Sequence, residues 1–178
     1  TRSIRKQNFL GFFILALLGS TAAPLLYNYG LNLTDVSQGV VLERSQPIFT
    51  VILACLFFKE RYSIPFFFYF FLMLLSILVL INGNIDFSKN NLNHDSFLGD
   101  IFIVFAAFFW ALALLLAKKL LVNHSAILLL FYRLLFTGFI LMPYYLLSSQ
   151  YHDLLNLEIS SFFLLLFIGV FAIAIPFL

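Results

Sequence analysis

Residues 40–49 read VVLERSQPIF and place a carboxylate, a guanidinium, a hydroxyl and an amide inside an apolar run that resumes at once with TVILACLFF. Side by side, Glu43 and Arg44 could bind charged groups of a substrate, carry a proton, or form an ion pair that only fixes packing. A charge at the centre of a membrane-spanning helix costs about 2.5–3.5 kcal/mol on insertion scales, so it faces a cavity or a partner rather than lipid. On a continuous helix Gly39, Glu43, Gln46, Pro47 and Thr50 fall within about 100° of one another and form one polar stripe. The opposite side, with Val41, Ile48, Ile52 and Leu56, is apolar apart from Ser45. Arg44 lies about 100° around from Glu43, beyond the Pro47 edge of the stripe. Pro47 has no N–H to give the carbonyl of Glu43, so a kink is expected there, with an acceptor released beside the stripe.

Other candidates are sparser. Ser20, Pro24, Tyr27 and Asn28 share a helical face, which suits a small-molecule wall or helix–helix hydrogen bonding, with Pro24 a second kink. Trp110 lies mid-span, so it packs between helices or lines a cavity. Arg133 is well inside an apolar run and either snorkels to the interface or lines a pathway. Asp100 follows Gly99 at an expected helix start, where a carboxylate caps free amides. The three histidines lie in or beside polar stretches without ligand-spaced partners, so no metal site is expected, and no cofactor. No HExxH, GxSxG or glycine-rich phosphate loop occurs.

The elements that must hold these residues are membrane spans. The 178 residues are 63% hydrophobic and only 10% charged, with 25 Phe, far greasier than a soluble domain. We therefore expect an all-α integral membrane protein, a multi-span helical bundle. Six runs are long enough to cross about 30 Å of hydrocarbon, at 9–30, 35–58, 64–81, 97–117, 125–147 and 161 to the end. With residues 1–8 cytoplasmic, the inner loops hold Arg2, Arg5, Lys6, Lys59, Arg61, Lys118 and Lys119, and the outer loops only Lys89. That asymmetry follows the positive-inside rule and predicts a multi-pass protein of the cytoplasmic membrane. The single cysteine, Cys55, excludes a disulfide framework, and a net charge of +2 gives no reason to expect nucleic acid.

The polar stretch 82–96, NGNIDFSKNNLNHDS, is the expected boundary between two halves. The segments FFILALLGSTAAPLLY and FFLLLFIGVFAIAIPFL echo each other five spans apart, and an odd offset makes them cross in opposite directions. Inverted-topology repeats of transporters have that arrangement. A chain without initial Met that stops within AIAIPFL is expected to be a piece of a longer protein.

The stretch YNYGLNLTDVSQGVVLERSQPIFTVILACLFFKERYS at 27–63 resembles the junction of the third and fourth helices of EamA-type transporters in the drug/metabolite transporter superfamily. Its Pro47-Ile48-Phe49 step and its Lys59-Glu60-Arg61 cap carry the resemblance. GDIFIVFAAFFWALALLLAKKL is similar to the opening helix of that family's second repeat, and LLLFYRLLFTGFILM to the helix after it. The resemblance implies an architecture of two inverted five-helix repeats, of which this chain would supply helices three to eight. Residues 1–81 would be the last three helices of the first repeat, 82–96 an extracytoplasmic linker, and 97–178 the first three helices of the second. Glu43 and Arg44 depart from the family, many of whose members have uncharged small residues there.

The expected function is a secondary transporter, an exporter or exchanger, moving small polar metabolites or drugs by alternating access. Its substrate wall would comprise Glu43, Arg44, Gln46, Thr50, Tyr27, Asn28 and Trp110, with Glu43 able to carry a coupling proton. The expected partners are a small-molecule substrate and the lipid bilayer. Two alternatives are a non-transporting membrane subunit and a membrane-embedded lipid-modifying enzyme. The enzyme would need an acid/base or metal constellation that the sequence does not display, so no enzyme is expected.

Overall fold

A computed structural model describes residues 6–59, 63–84, 94–147 and positions 161, 164 and 167. The helices are α1 (Lys6–Ala16), a π-helical turn (Leu17–Ala22), α2 (Ala23–Leu31), α3 (Val36–Glu43), α4 (Gln46–Phe58), α5 (Ile64–Asn84), α6 (His94–Leu121) and α7 (Ala126–Leu147). Among the described residues four stretches, Phe9–Leu31, Val36–Phe58, Asp95–Leu121 and Ala126–Pro143, are long and apolar enough to cross a membrane. In α5 the stretch Ile64–Met73 is apolar but shorter than these four. The sixth expected span, from 161 on, lies outside the described residues apart from three helical positions. Large side chains stay exposed along these helices, among them Ile64 at 87% and Phe57 at 70%. Water would penalise such a surface and hydrocarbon does not.

The chain forms two compact units, one of Thr1–Thr21 with Leu116–Leu178 and one of Ala22–Leu115. In the first, α1 packs on α7 through aromatic rings. Phe12 is fully buried, stacked on Tyr132 at 5.2 Å and tilted against His124. Phe136 receives the edges of Phe9 at 4.9 Å and Phe13 at 5.7 Å. Offset and edge-on pairs of this kind add about 0.5–1.5 kcal/mol each beyond the area they bury.

The π turn has a local cause. Thr21 turns its hydroxyl back to the carbonyl of Ala16 at 3.2 Å, five residues earlier. In π register the carbonyl of Gly19 would be paired by the N–H of residue 24, and Pro24 has none. Arg133 donates from Nη2 to that carbonyl at 3.3 Å and from Nε to the Ser20 hydroxyl. Arg133 thus gives two of its donors to the neighbouring turn, a packing role that neither sequence reading named. Ser20 likewise takes the role of helix–helix hydrogen bonding.

In the second unit α2 and α3 form a helical hairpin. Leu33 and Thr34 each donate their N–H to the carbonyl of Gly30 at 3.0 Å, closing α2. Asp35 then caps α3, accepting from Ser37 N at 2.8 Å and Gln38 N at 3.4 Å. Three glycines allow the hairpin to meet α6 almost backbone to backbone. A Cβ on Gly30 would lie 2.7 Å from the carbonyl oxygen of Gly99, and one on Gly99 would lie 2.8 Å from that of Gly30. A Cβ on Gly39 would meet Leu31 at 2.4 Å and Ile103 at 2.9 Å. Small residues at helix crossings are how membrane helices gain van der Waals contact where no hydrophobic effect drives them together. Farther along, Leu53 and Ala54 of α4 pack on Ala111 and Leu115 of α6, with Phe49, Phe108 and Leu112 at the edge.

The expected single helix over 35–58 is interrupted at Arg44–Ser45. There the hydrogen bonds tighten to three-residue spacing, Arg44 N to Val41 O at 3.1 Å and Ser45 N to Leu42 O at 3.0 Å. Pro47 stands in the first turn of α4, where a missing N–H costs nothing. The Ser45 hydroxyl oxygen is buried beside this break without a hydrogen-bond partner.

Candidate functional site

The interruption of the second span redistributes the residues that a continuous helix would have aligned. Gly39 is buried in the glycine junction, so its place on the stripe is a packing contact rather than part of a polar wall. Gln46, Pro47 and Thr50 face a groove of about 530 Å³ whose other walls are Val51, Phe66, Tyr69, Phe70, Met73 and Leu114. The Thr50 hydroxyl donates to the carbonyl of Gln46 at 3.0 Å. Its proton is therefore committed to its own helix, while the Gln46 amide remains the more available polar group of that wall.

Glu43 belongs to a different cluster. The charges of Glu43 and Arg44 both act on the Tyr27 hydroxyl. The Tyr27 ring stands 5.5 Å from the Trp110 ring, with the planes inclined at 53°. Tyr27, Glu43 and Trp110 are half-buried, whereas Arg44 and Asn28 are exposed. A phenol and an indole from two helices thus pair within apolar spans, with the charge of Glu43 acting on the phenol.

What positions this cluster is a polar clasp at the hairpin end. Asp100 accepts a hydrogen bond from the Thr34 hydroxyl at 2.8 Å and another from Gln38 Nε2 at 2.6 Å. Thr34 and Ser96 share a third between their hydroxyls at 3.3 Å. Gln38 and Glu43 lie on α3, and Asp100 and Trp110 on α6. The register that the clasp fixes between these helices is the register that sets the cluster.

Asp100 departs from the sequence expectation. Helix α6 begins at His94, so Asp100 is well past the first turn and does not cap it. Polar residues four apart, Ser96 and Asp100, share a helical face, and that spacing was the available signal. Nothing in the sequence pairs them with Thr34 and Gln38, which lie more than sixty residues away. Replacing Asp100 with Ala should remove the acceptor of the Thr34 and Gln38 hydrogen bonds and lower stability by about 1–3 kcal/mol. The check is thermal unfolding in detergent, with Asp100→Asn expected to lose less because it keeps one acceptor.

Among the described residues no group of three or more His, Cys, Asp or Glu side chains is placed to hold a metal ion. Cys55 is exposed and not in a disulfide.

The sequence profile of the EamA-like transporter family matches residues 1–82 and 97–178. An uncharacterized transporter of Methanothermobacter thermautotrophicus is 29% identical over 66% of this chain and 34% of its own length. An S-adenosylmethionine uptake transporter of Rickettsia conorii is 29% identical over 78% of this chain and 42% of its own length. Solute carrier family 35 member G1 of mouse is 30% identical over 43% of this chain and 23% of its own length. The chain thus spans less than half the length of these relatives, and no solved structure matches it. Its apolar helices make it a multi-span helical membrane protein, and with both stretches matched the chain belongs to the EamA-like transporter family.

Proposed function

We propose that this chain is part of a secondary transporter that moves small polar metabolites or drugs across the cytoplasmic membrane by alternating access, as an exporter or exchanger. The observation that supports it is the interrupted helix that carries Glu43 inside apolar spans, next to the paired rings of Tyr27 and Trp110. Broken helices near the membrane midplane are where such carriers expose backbone and side chains to substrate. Residues 1–81 and 97–178 serve as parts of two inverted repeats joined by 82–96, and the N-terminus is cytoplasmic, as the loop charges favour. Arg44, Asn28, Gln46 and Thr50 extend the wall around the cluster, and Pro24 and Pro47 shape the helices that carry it. Glu43 takes up a coupling proton in this reading.

The relative named for S-adenosylmethionine uptake supplies the first compound to try, in a metabolite panel screened by thermal shift on the intact protein. Compounds that raise its melting temperature are then followed as flux into proteoliposomes. Saturable flux above protein-free vesicles supports the reading. Lipid turnover by the same vesicles without flux would replace it with the enzyme alternative.

A further inference from the structure

We infer that the groove between α4 and α5 binds an uncharged, flat aromatic molecule that carries an amide-like hydrogen-bonding edge. This deepens the transporter reading and rests on it only for movement, because binding is measured without transport. The groove has a volume of about 530 Å³, within the roughly 300–1,000 Å³ usual for small-molecule sites. An α-helix about 10 Å across fills roughly 400 Å³ per turn, so the groove holds little more than one turn and is too short a seat for another span. Its place follows from the local structure. The break at Arg44–Ser45 starts α4 afresh at Gln46, while α5 packs on α3. The groove lies between α5 and the first two turns of α4, with Leu114 of α6 as a third wall.

The walls select the occupant. Phe66, Tyr69, Phe70 and Met73 recur at i, i+3, i+4 and i+7 on one face of α5. That wall is mostly aromatic, and the Phe66 and Phe70 rings lie within 17° of parallel. A flat ring gains offset or edge-on contacts there that a saturated ring or an acyl chain does not. On the α4 wall Gln46 brings an amide with donors and an acceptor, whereas Thr50 has already given its proton to the Gln46 carbonyl. An acyl chain would leave that amide without a partner in hydrocarbon. Among the described residues no charged side chain lines the groove, so a ligand ion would lie there without a countercharge. Flatness, a donor–acceptor edge and neutrality are therefore three separate conditions on the ligand.

The probes are 2-naphthamide, the anion 2-naphthoate of nearly the same shape, and the saturated decahydronaphthalene-2-carboxamide. Their binding to the intact protein in lipid nanodiscs is measured by equilibrium dialysis, with empty nanodiscs subtracted. 2-Naphthamide should bind saturably and at least about tenfold more tightly than either of the other two. Gln46→Met, which removes the amide at similar volume, should weaken it by about tenfold. Gln46→Asn should keep part of the affinity, which separates loss of the amide from loss of fold. Equal binding of 2-naphthamide and either comparison probe would overturn the inference, as would an affinity undiminished in Gln46→Met. Absence of saturable binding would leave the groove to acyl chains and overturn it as well. Flux of a metabolite without any 2-naphthamide binding overturns this inference and leaves the transporter reading standing. Saturable 2-naphthamide binding with no flux for any metabolite does the opposite.

Discussion

Gly99→Val should yield little or no monodisperse protein from detergent extracts. A Cβ at that position would sit 2.8 Å from the carbonyl oxygen of Gly30, 2.9 Å from Cβ of Leu33 and 3.0 Å from the backbone N of Thr34. Two of those atoms are backbone, so no rotamer change relieves the overlap, and the hairpin must move off α6. Overpacking ordinarily costs about 1–3 kcal/mol. Here the displacement also pulls Thr34 and Gln38 away from Asp100 and adds the loss of two hydrogen bonds to a carboxylate. Gly138 is the matched control, since a Cβ there meets nothing within 4 Å. Gly138→Ala should be neutral or should raise stability by up to about 1 kcal/mol through helix propensity. Size-exclusion profiles and melting temperatures of the two variants side by side check both halves of the prediction.

Exchanging the two central charges, Glu43→Arg together with Arg44→Glu, should cut flux sharply while leaving the fold in place. Net charge, loop asymmetry and the polar count of the span are all preserved. If the residues serve only as a local ion pair, the exchange rebuilds the pair and both stability and function return. In the site described here the positions are unlike: Glu43 is half-buried against Tyr27 and Arg44 is exposed. The exchange would put a guanidinium against the Tyr27 hydroxyl and a carboxylate outside. We expect flux to fall by tenfold or more, about 1.4 kcal/mol or above, with a melting temperature within about 4 °C of wild type. Restored flux would assign the pair to packing.

The sequence carries the four spans found among the described residues because burial in lipid demands long apolar runs, and such runs survive any detail of packing. It also singles out Glu43, since an acid within VVLERSQPIF cannot face lipid cheaply. What it hides are features that depend on helix phase. The stripe drawn through Gly39, Glu43 and Gln46 assumed unbroken rotation, and the break at Arg44–Ser45 sends its upper and lower parts to different neighbours. Pro47 signalled a disturbance there but not how far it would reach. The π turn at Leu17–Ala22 is hidden for the same reason, and with it the use that Arg133 makes of Ser20 and Gly19. Asp100 was legible as polar and was misplaced because α6 starts at His94, before the apolar pattern does. The glycines at 30, 39 and 99 look in sequence like ordinary membrane-helix glycines, and only their mutual approach shows them to be one junction.

The most direct measurement is flux through Glu43→Gln in the intact protein, reconstituted at equal amounts beside wild type and followed across a range of pH. The substitution is nearly isosteric and removes only the charge. The account predicts transport reduced by tenfold or more, with the remaining flux no longer responding to pH and the melting temperature unchanged. Transport at the wild-type rate with the wild-type pH dependence would contradict it.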